Sequence, residues 1–418
     1  MRPSHSLFTV AVAALLASGG SVGAPDEDKL GRAQGYPVGT RATWFSQESV
    51  RVGSFTHQGD IDGLLNGHVN VLAASGMPLA LPHAAVEPTY RWHIDALRNL
   101  GLDDYLARQR VMGLLVVKDG VVQIERYQYA RGPTDRFVSH SMAKSLVSLA
   151  VAMALQSGHL KSLDDRADRY AASLVGTLYG ETRLRDLLRM ASGARFEERY
   201  DGEDDLARFS RDAARDGLEA AAHGVTERVA AAGARFNYAS PETVMLAAVL
   251  RAATGMSLSD YLQPRLWQAM GAETSALWRT DRTGLESASG NFNATLRDYA
   301  RLGALLANDG LRADTGQQII PRDYLIEATD AARQPAAFAP GQATPYYGYG
   351  YQFWTFPGRP RRFAMLGVYG QMIFIDPELK LVMVQAAANA TAKPGQTSLA
   401  READAFWRGV VAYYGGRW

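Results

Sequence analysis

The chain contains no cysteine. That single absence excludes disulfide bridges, thiolate metal sites and a cysteine nucleophile. Charge of one sign is also missing: the formal net charge is +1, both signs are scattered, and no basic block marks nucleic acid or an anionic membrane as a partner. The eight histidines all lie at or before residue 223, so the late histidine of an α/β-hydrolase triad is missing. There is no His-Glu-x-x-His and no close histidine pair at ligand spacing, which speaks against metal-dependent hydrolysis. A Gly-x-Ser-x-Gly match at 19–23 sits in the leader, without the strand and helix a nucleophile elbow needs. Lysine is scarce, with six in 418 residues.

What is present is an ordinary globular composition, 47% hydrophobic and 21% charged, in a chain long enough for one large domain or two to three average ones. The first residues, MRPSHSLFTVAVAALLASGGSVGAPDEDK, combine an early arginine, an apolar stretch from Leu7 to Ala17 and small residues after it. This is a secretory signal pattern over 1–23, cut after Gly23 or Ala24, and its apolar part is short for a stable span. The expectation is an exported protein, periplasmic or secreted, with no stable membrane span once the leader is removed.

Residues 24–90 read as an irregular segment lying on the main domain, with strand-like pieces such as SVRVGSF. The main domain is expected over 91–418. RWHIDALRNLGLDDYLARQR (91–110) has helical spacing, and VMGLLVVKDGVVQIERYQY (111–129) places two β-branched runs around Lys118-Asp119-Gly120, a hairpin signal. Residues 160–310 read as a mainly helical insertion, with starts at Ser240-Pro241, Ser257-x-x-Asp260 and Thr295-x-x-Asp298. Strand patterns return after 345, and a helix closes the chain. The fold class expected is α+β: a sheet of N- and C-terminal strands flanked by helices, with a pocket where it meets the insertion.

The chemistry is concentrated at VSHSMAKSLVSLAVAMALQSG (138–158). Ser141 and Lys144 form the chain's one Ser-x-x-Lys pair, and i and i+3 share a helix face. A serine hydroxyl needs a base, and a lysine becomes one only if burial or nearby positive charge lowers its pKa. The apolar run after Lys144 favours burial over a solvated surface lysine. Ser141 would lie at a helix N-terminus, where free N–H groups can hold an oxyanion. Tyr238, in GARFNYASPET, could relay a proton to the leaving group; a hydrogen-bonded core tyrosine is the plainer alternative. His140, beside Ser141, should point away from it.

With these pieces in order, the chain resembles the serine hydrolases of the β-lactamase and penicillin-binding type over roughly residues 100–415. Ser141 and Lys144 match the first motif of that family, and Tyr238 with Ser240 the second. TRLRDLLRMASG (182–193), LWQAMG (266–271), Trp278 and TLRDYARLG (295–303) are also similar to family segments. The third motif departs: Met365-Leu366-Gly367 stands where better-known members carry a Lys or His before Thr or Ser and Gly. Gly367 to Gln371 resembles instead the branch of 6-aminohexanoate-dimer hydrolase and related esterases. The resemblance implies a β-lactamase/transpeptidase-like fold and a Ser141 acyl-enzyme acting on a small ester, amide or peptide-like substrate. It puts the backbone N–H groups of Ser141 and Val368 in the oxyanion hole, or Gln371 in place of Val368 if the register shifts. Tyr200, Ser240, Gly367 and Gln371 would line the substrate site; Asn291 and Asn293 are further candidates. β-Lactamase or D-Ala-D-Ala carboxypeptidase activity is the alternative within the family, and a non-catalytic envelope protein the alternative outside catalysis.

Overall fold

The computed structural model describes residues 23–393 and 398–418; the leader pattern at 1–22 lies outside them. The strands are β1 Asn66–Leu72, β2 Trp92–Ile94, β3 Leu97–Leu100, β4 Val111–Lys118, β5 Val121–Tyr127, β6 Arg136–Val138, β7 Ala276–Asp281, β8 Phe292–Thr295, β9 Gly348–Tyr349, β10 Trp354–Thr355, β11 Phe363–Gly367, β12 Gln371–Asp376 and β13 Leu381–Ala387. The helices are α1 Arg51–Thr56, α2 Leu102–Arg108, α3 Ala143–Gln156, α4 Leu184–Leu188, α5 Asp205–Asp216, α6 Leu218–His223, α7 Ser240–Thr254, α8 Leu258–Leu262, α9 Leu296–Ala307, α10 Arg322–Thr329 and α11 Ser398–Tyr413. The architecture is α+β, as expected.

The main sheet has seven strands in the order β5-β4-β13-β12-β11-β10-β9, antiparallel throughout. N-terminal and C-terminal strands therefore meet at β4 and β13. Both faces are covered, which explains why β4 reads as a continuous apolar run. Successive side chains alternate faces: Leu115 and Val117 join the larger core beside α9, whereas Leu114 and Val116 pack with Phe406 and Trp407 of α11. Gly303 lets α9 lie close on the sheet, since a Cβ there would meet Val382 at 2.5 Å.

Three local expectations need correction. SVRVGSF is not extended: a 3-10 turn runs into α1, whose six residues are all buried. Residues 91–110 form the β2–β3 hairpin and only then α2; left-handed Asp95 (φ 49°) and Asn99 (φ 57°) break the apparent helical period. The stretch 160–310 is mainly helical but also holds β7 and β8, which join β1 and β6 in a four-stranded sheet of order β1-β7-β8-β6. The hairpin at Lys118-Asp119-Gly120 forms as expected, and the Ser257 and Thr295 side chains cap α8 and α9. Among the described residues, no helix is long and apolar enough to cross a membrane.

Candidate active site

Strand β6 ends at Val138, and a single 3-10 turn, His140–Met142, delivers the chain into α3. Ser141 sits on that turn and remains partly exposed, while Lys144, in the first turn of α3, is 1% exposed. Helix α3 is apolar on nearly every side and is buried from Ala143 to Ala154, as an all-round hydrophobic helix should be. That burial carries Lys144 inside with it.

The Lys144 Nζ donates to Ser141 Oγ at 3.0 Å and to the Ser289 carbonyl at 2.8 Å. Its ammonium lies 5.0 Å from the Tyr238 ring centroid. Burial pulls the Lys144 pKa down to about 8, against the opposing field of the Glu198 carboxylate. Tyr238 is shifted the other way. Burial first, and Glu198 second, raise the phenol above its ordinary range, while hydrogen bonding with Ser141 works against them. Tyr238 is thus a neutral phenol at working pH, held by stacking on Trp354 at 5.6 Å.

Glu198 is the residue that sequence reading missed. It is buried, accepts from the Ser240 backbone N–H at the start of α7, and accepts from the Tyr200 hydroxyl at 2.8 Å. Its loop is tied to α7 through Ser192, whose hydroxyl donates to Glu242 at 2.6 Å; burial raises Glu242 to about 8. In RFEERYDGEDD nothing distinguishes Glu198 from its acidic neighbours, because beside the local Tyr200 its partner comes from the start of α7. Ser289 was equally illegible, since only its carbonyl is used. The aromatic density of YYGYGYQFWTF was a usable signal for Trp354.

The remaining expected residues fall in two groups. Gly367 ends β11 hard against the serine turn: a Cβ there would meet the Ser139 carbonyl at 2.4 Å and His140 Cβ at 3.1 Å. Val368 follows it, at the start of the 3-10 turn Val368–Gly370. Tyr200 and Ser240 join through Glu198, and the Lys393 ammonium lies 5.7 Å over the Tyr200 ring. The Gln371 side chain, by contrast, is committed to the sheet: its amide N–H groups go to the carbonyls of Val368 and Ala387, and its oxygen accepts from Ala387 N–H. Asn291 and Asn293 are engaged by Gln58 of the N-terminal segment. His140 turns into an aromatic cage, where burial lowers its imidazole to about 3 and keeps it neutral.

A buried lysine thus donates to a serine hydroxyl, with the Tyr238 ring 5.0 Å from its ammonium. The Beta-lactamase family profile matches residues 102–405. The chain belongs to the beta-lactamase family. By that membership it is a hydrolase. It is 25% identical over 316 residues to the 6-aminohexanoate-dimer hydrolase of Paenarthrobacter ureafaciens, covering 73% of this chain and 80% of that one. A solved structure named "Putative 6-aminohexanoate-dimer hydrolase from Bacillus anthracis" superposes with a TM-score of 0.79 at 24% identity, over 91% of this chain and 98% of that one. EstCE1, a hydrolase with promiscuous acyltransferase activity, matches with a TM-score of 0.56 at 17% identity, over 72% and 94% of the two chains. These likenesses establish the β-lactamase/transpeptidase-like fold.

Proposed function

We propose that this beta-lactamase-family protein is a serine hydrolase that cleaves an amide or ester through an acyl-enzyme on Ser141. The observation that carries this reading is the buried Lys144 amine, 3.0 Å from the Ser141 hydroxyl. At pH 7 a pKa of about 8 leaves roughly a tenth of the amine neutral, against about one part in three thousand for an ordinary lysine. The neutral amine can keep one N–H on the Ser289 carbonyl while its lone pair accepts the Ser141 proton.

As that proton moves to Lys144, the Ser141 Oγ–carbon bond forms and the carbonyl π electrons move to oxygen. The backbone N–H groups of Ser141 and Val368 stabilise that oxyanion. Tyr238, whose raised pKa makes it a donor and not a standing base, gives its proton to the leaving nitrogen or oxygen and is reprotonated from Lys144. The carbon–leaving-group bond then breaks. Water attacks the acyl-enzyme by the reverse proton path, releasing the acid and restoring Ser141.

The relatives favour an amide substrate of the 6-aminohexanoate-dimer kind, with small esters next. Tyr200, Ser240 and Gly367 would line the substrate site, and Gln371, whose amide donates to the Val368 carbonyl, would brace the turn that carries Val368. No metal or organic cofactor enters any step. The 1–23 leader pattern supports an exported, periplasmic or secreted enzyme.

The test is intact mass after incubation with a fluorophosphonate probe, beside Ser141→Ala. One adduct on the wild type and none on the variant is expected. Hydrolysis of linear 6-aminohexanoate dimer, p-nitrophenyl esters and penicillins then ranks amide, ester and β-lactam substrates. A folded wild type that takes no probe would overturn the reading.

A further inference from the structure

The family profile begins at residue 102, yet the serine turn is gripped by residues 44–55. Two backbone positions flank the proposed oxyanion donors. His140, immediately before Ser141, has φ 42°, and Tyr369, immediately after Val368, has φ 62°. Neither is glycine, so each left-handed conformation costs free energy that its surroundings must offset.

The N-terminal segment contacts both. The Phe55 ring lies 4.6 Å from His140 and 5.4 Å from Tyr369, and Phe45 lies 5.7 Å and 5.1 Å from the same two rings. Trp44 stacks on His140 at 6.0 Å with 20° between the planes. The Arg51 guanidinium sits 4.2 Å over the Tyr369 ring and donates to the Asn389 carbonyl at 2.7 Å, while the Asn389 N–H donates to the Tyr369 carbonyl at 3.1 Å. One clamp therefore closes on the two strained residues, and their neighbours' N–H groups are the ones that must converge on a single oxygen.

We propose that residues 44–55 are a positioning element of the active site, with Phe55 at its centre, locking His140 and Tyr369 so that the Ser141 and Val368 N–H groups stay aimed together. This rests on the reading of Ser141 as nucleophile. None of the clamp residues touches the reacting atoms. Their contribution is to convergence of the donors, so the loss should appear in the rate of attack on Ser141's target and not in initial binding.

The experiment uses the full chain with Phe55→Ala, the milder Phe55→Leu and a control, Phe406→Ala. Phe406 stacks on Tyr105 at 4.3 Å in the core on the other face of the main sheet. Fluorophosphonate labelling of Ser141 gives a maximal rate and a half-saturating probe concentration, and melting temperature is measured alongside. Phe55→Ala is expected to lower the maximal rate about tenfold or more with the half-saturating concentration within about threefold, as loss of an aimed oxyanion donor requires. Phe55→Leu should fall between it and the wild type. Phe406→Ala should lower the melting temperature and leave the rate within about threefold. Folded Phe55 variants that label at wild-type speed would overturn the proposal, as would an equal slowing by Phe406→Ala. Should Phe55→Ala not fold, the rate of Phe55→Leu decides by the same comparison. A wild type that takes no probe overturns the hydrolase reading and this one with it; normal labelling of wild type and Phe55 variants alike overturns this one alone.

Discussion

In the proposed mechanism Lys144 holds two roles in opposition. Burial makes it a usable base and at the same time makes its charged form costly. With a native pKa of about 8 against 10.5 unfolded, the unfolded chain binds the proton more tightly. Below pH 8 the full cost is present, on the order of 3 kcal/mol. Between pH 8 and 10.5 the native state has shed a proton that the unfolded state keeps, so native stability rises with pH in that window. Catalysis has the same sign: Ser141 labelling should climb with pH through a midpoint near 8 as the neutral amine accumulates. Lys144→Met should abolish labelling and remove the stability gain above pH 8, read as urea unfolding of both proteins at pH 7 and pH 10. A labelling rate flat from pH 6 to 10 would remove Lys144 as base. Ser141 and Lys144 were legible because their chemistry is local: one helical turn joins them, and the apolar run behind them announces the burial. Glu198 was not, because its role depends on α7, whose approach no local pattern encodes.

At the scale of elements, the start of α9 shows how much a short motif can carry. Thr295-x-x-Asp298 reads as a capping box, and the Thr295 hydroxyl does cap α9. Asp298 does more. Fully buried, it also accepts from the N–H groups of Glu273 (2.7 Å) and Thr274 (3.0 Å), from the Thr274 hydroxyl and from Arg301 at 2.9 Å. Thr295→Ala should cost about 1 kcal/mol, an ordinary cap. Asp298→Ala should cost more, about 2–3 kcal/mol, because it takes the acceptor from the Glu273 and Thr274 N–H groups and leaves the buried Arg301 with Glu273 and the Leu79 carbonyl as partners. Urea titrations of both variants check the ordering, and equal losses would mean that Asp298 is only a cap. Caps and the Lys118-Asp119-Gly120 hairpin were readable because turn chemistry is written in adjacent residues. The 91–110 hairpin was not: its apolar residues fit a helix as well, and the left-handed Asp95 and Asn99 that decide the matter carry no strong sequence mark.

Across the whole molecule, the least legible feature was the N-terminal segment. Read as irregular and lying on the main domain, it supplies β1 to the smaller sheet, the clamp on the serine turn, and acidic partners for Arg110. Those contacts span 84 residues from Asp26 to Arg110 and 62 from Glu48 to Arg110, distances over which periodicity says nothing. Long-range ion pairs of this kind are not equal in worth. Arg110 is 6% exposed, but Asp26 and Glu48 are 33% and 37% exposed. Arg362, which joins β11 to Asp376 at the end of β12 and donates to the Arg417 carbonyl at 2.9 Å, faces a carboxylate with no exposure at all. In Arg110→Met the freed carboxylates can rehydrate, so the loss should be about 1–2 kcal/mol. In Arg362→Leu the Asp376 carboxylate stays buried with, among the described residues, only the Leu379 N–H still donating to it, so the loss should reach about 3–5 kcal/mol. Arg362→Leu with Asp376→Asn should recover part of that loss by removing the stranded charge. Equilibrium urea unfolding of the three proteins decides it. A larger loss from Arg110→Met would mean that anchoring the N-terminal segment, and not the closure of β11 on β12, holds this fold together.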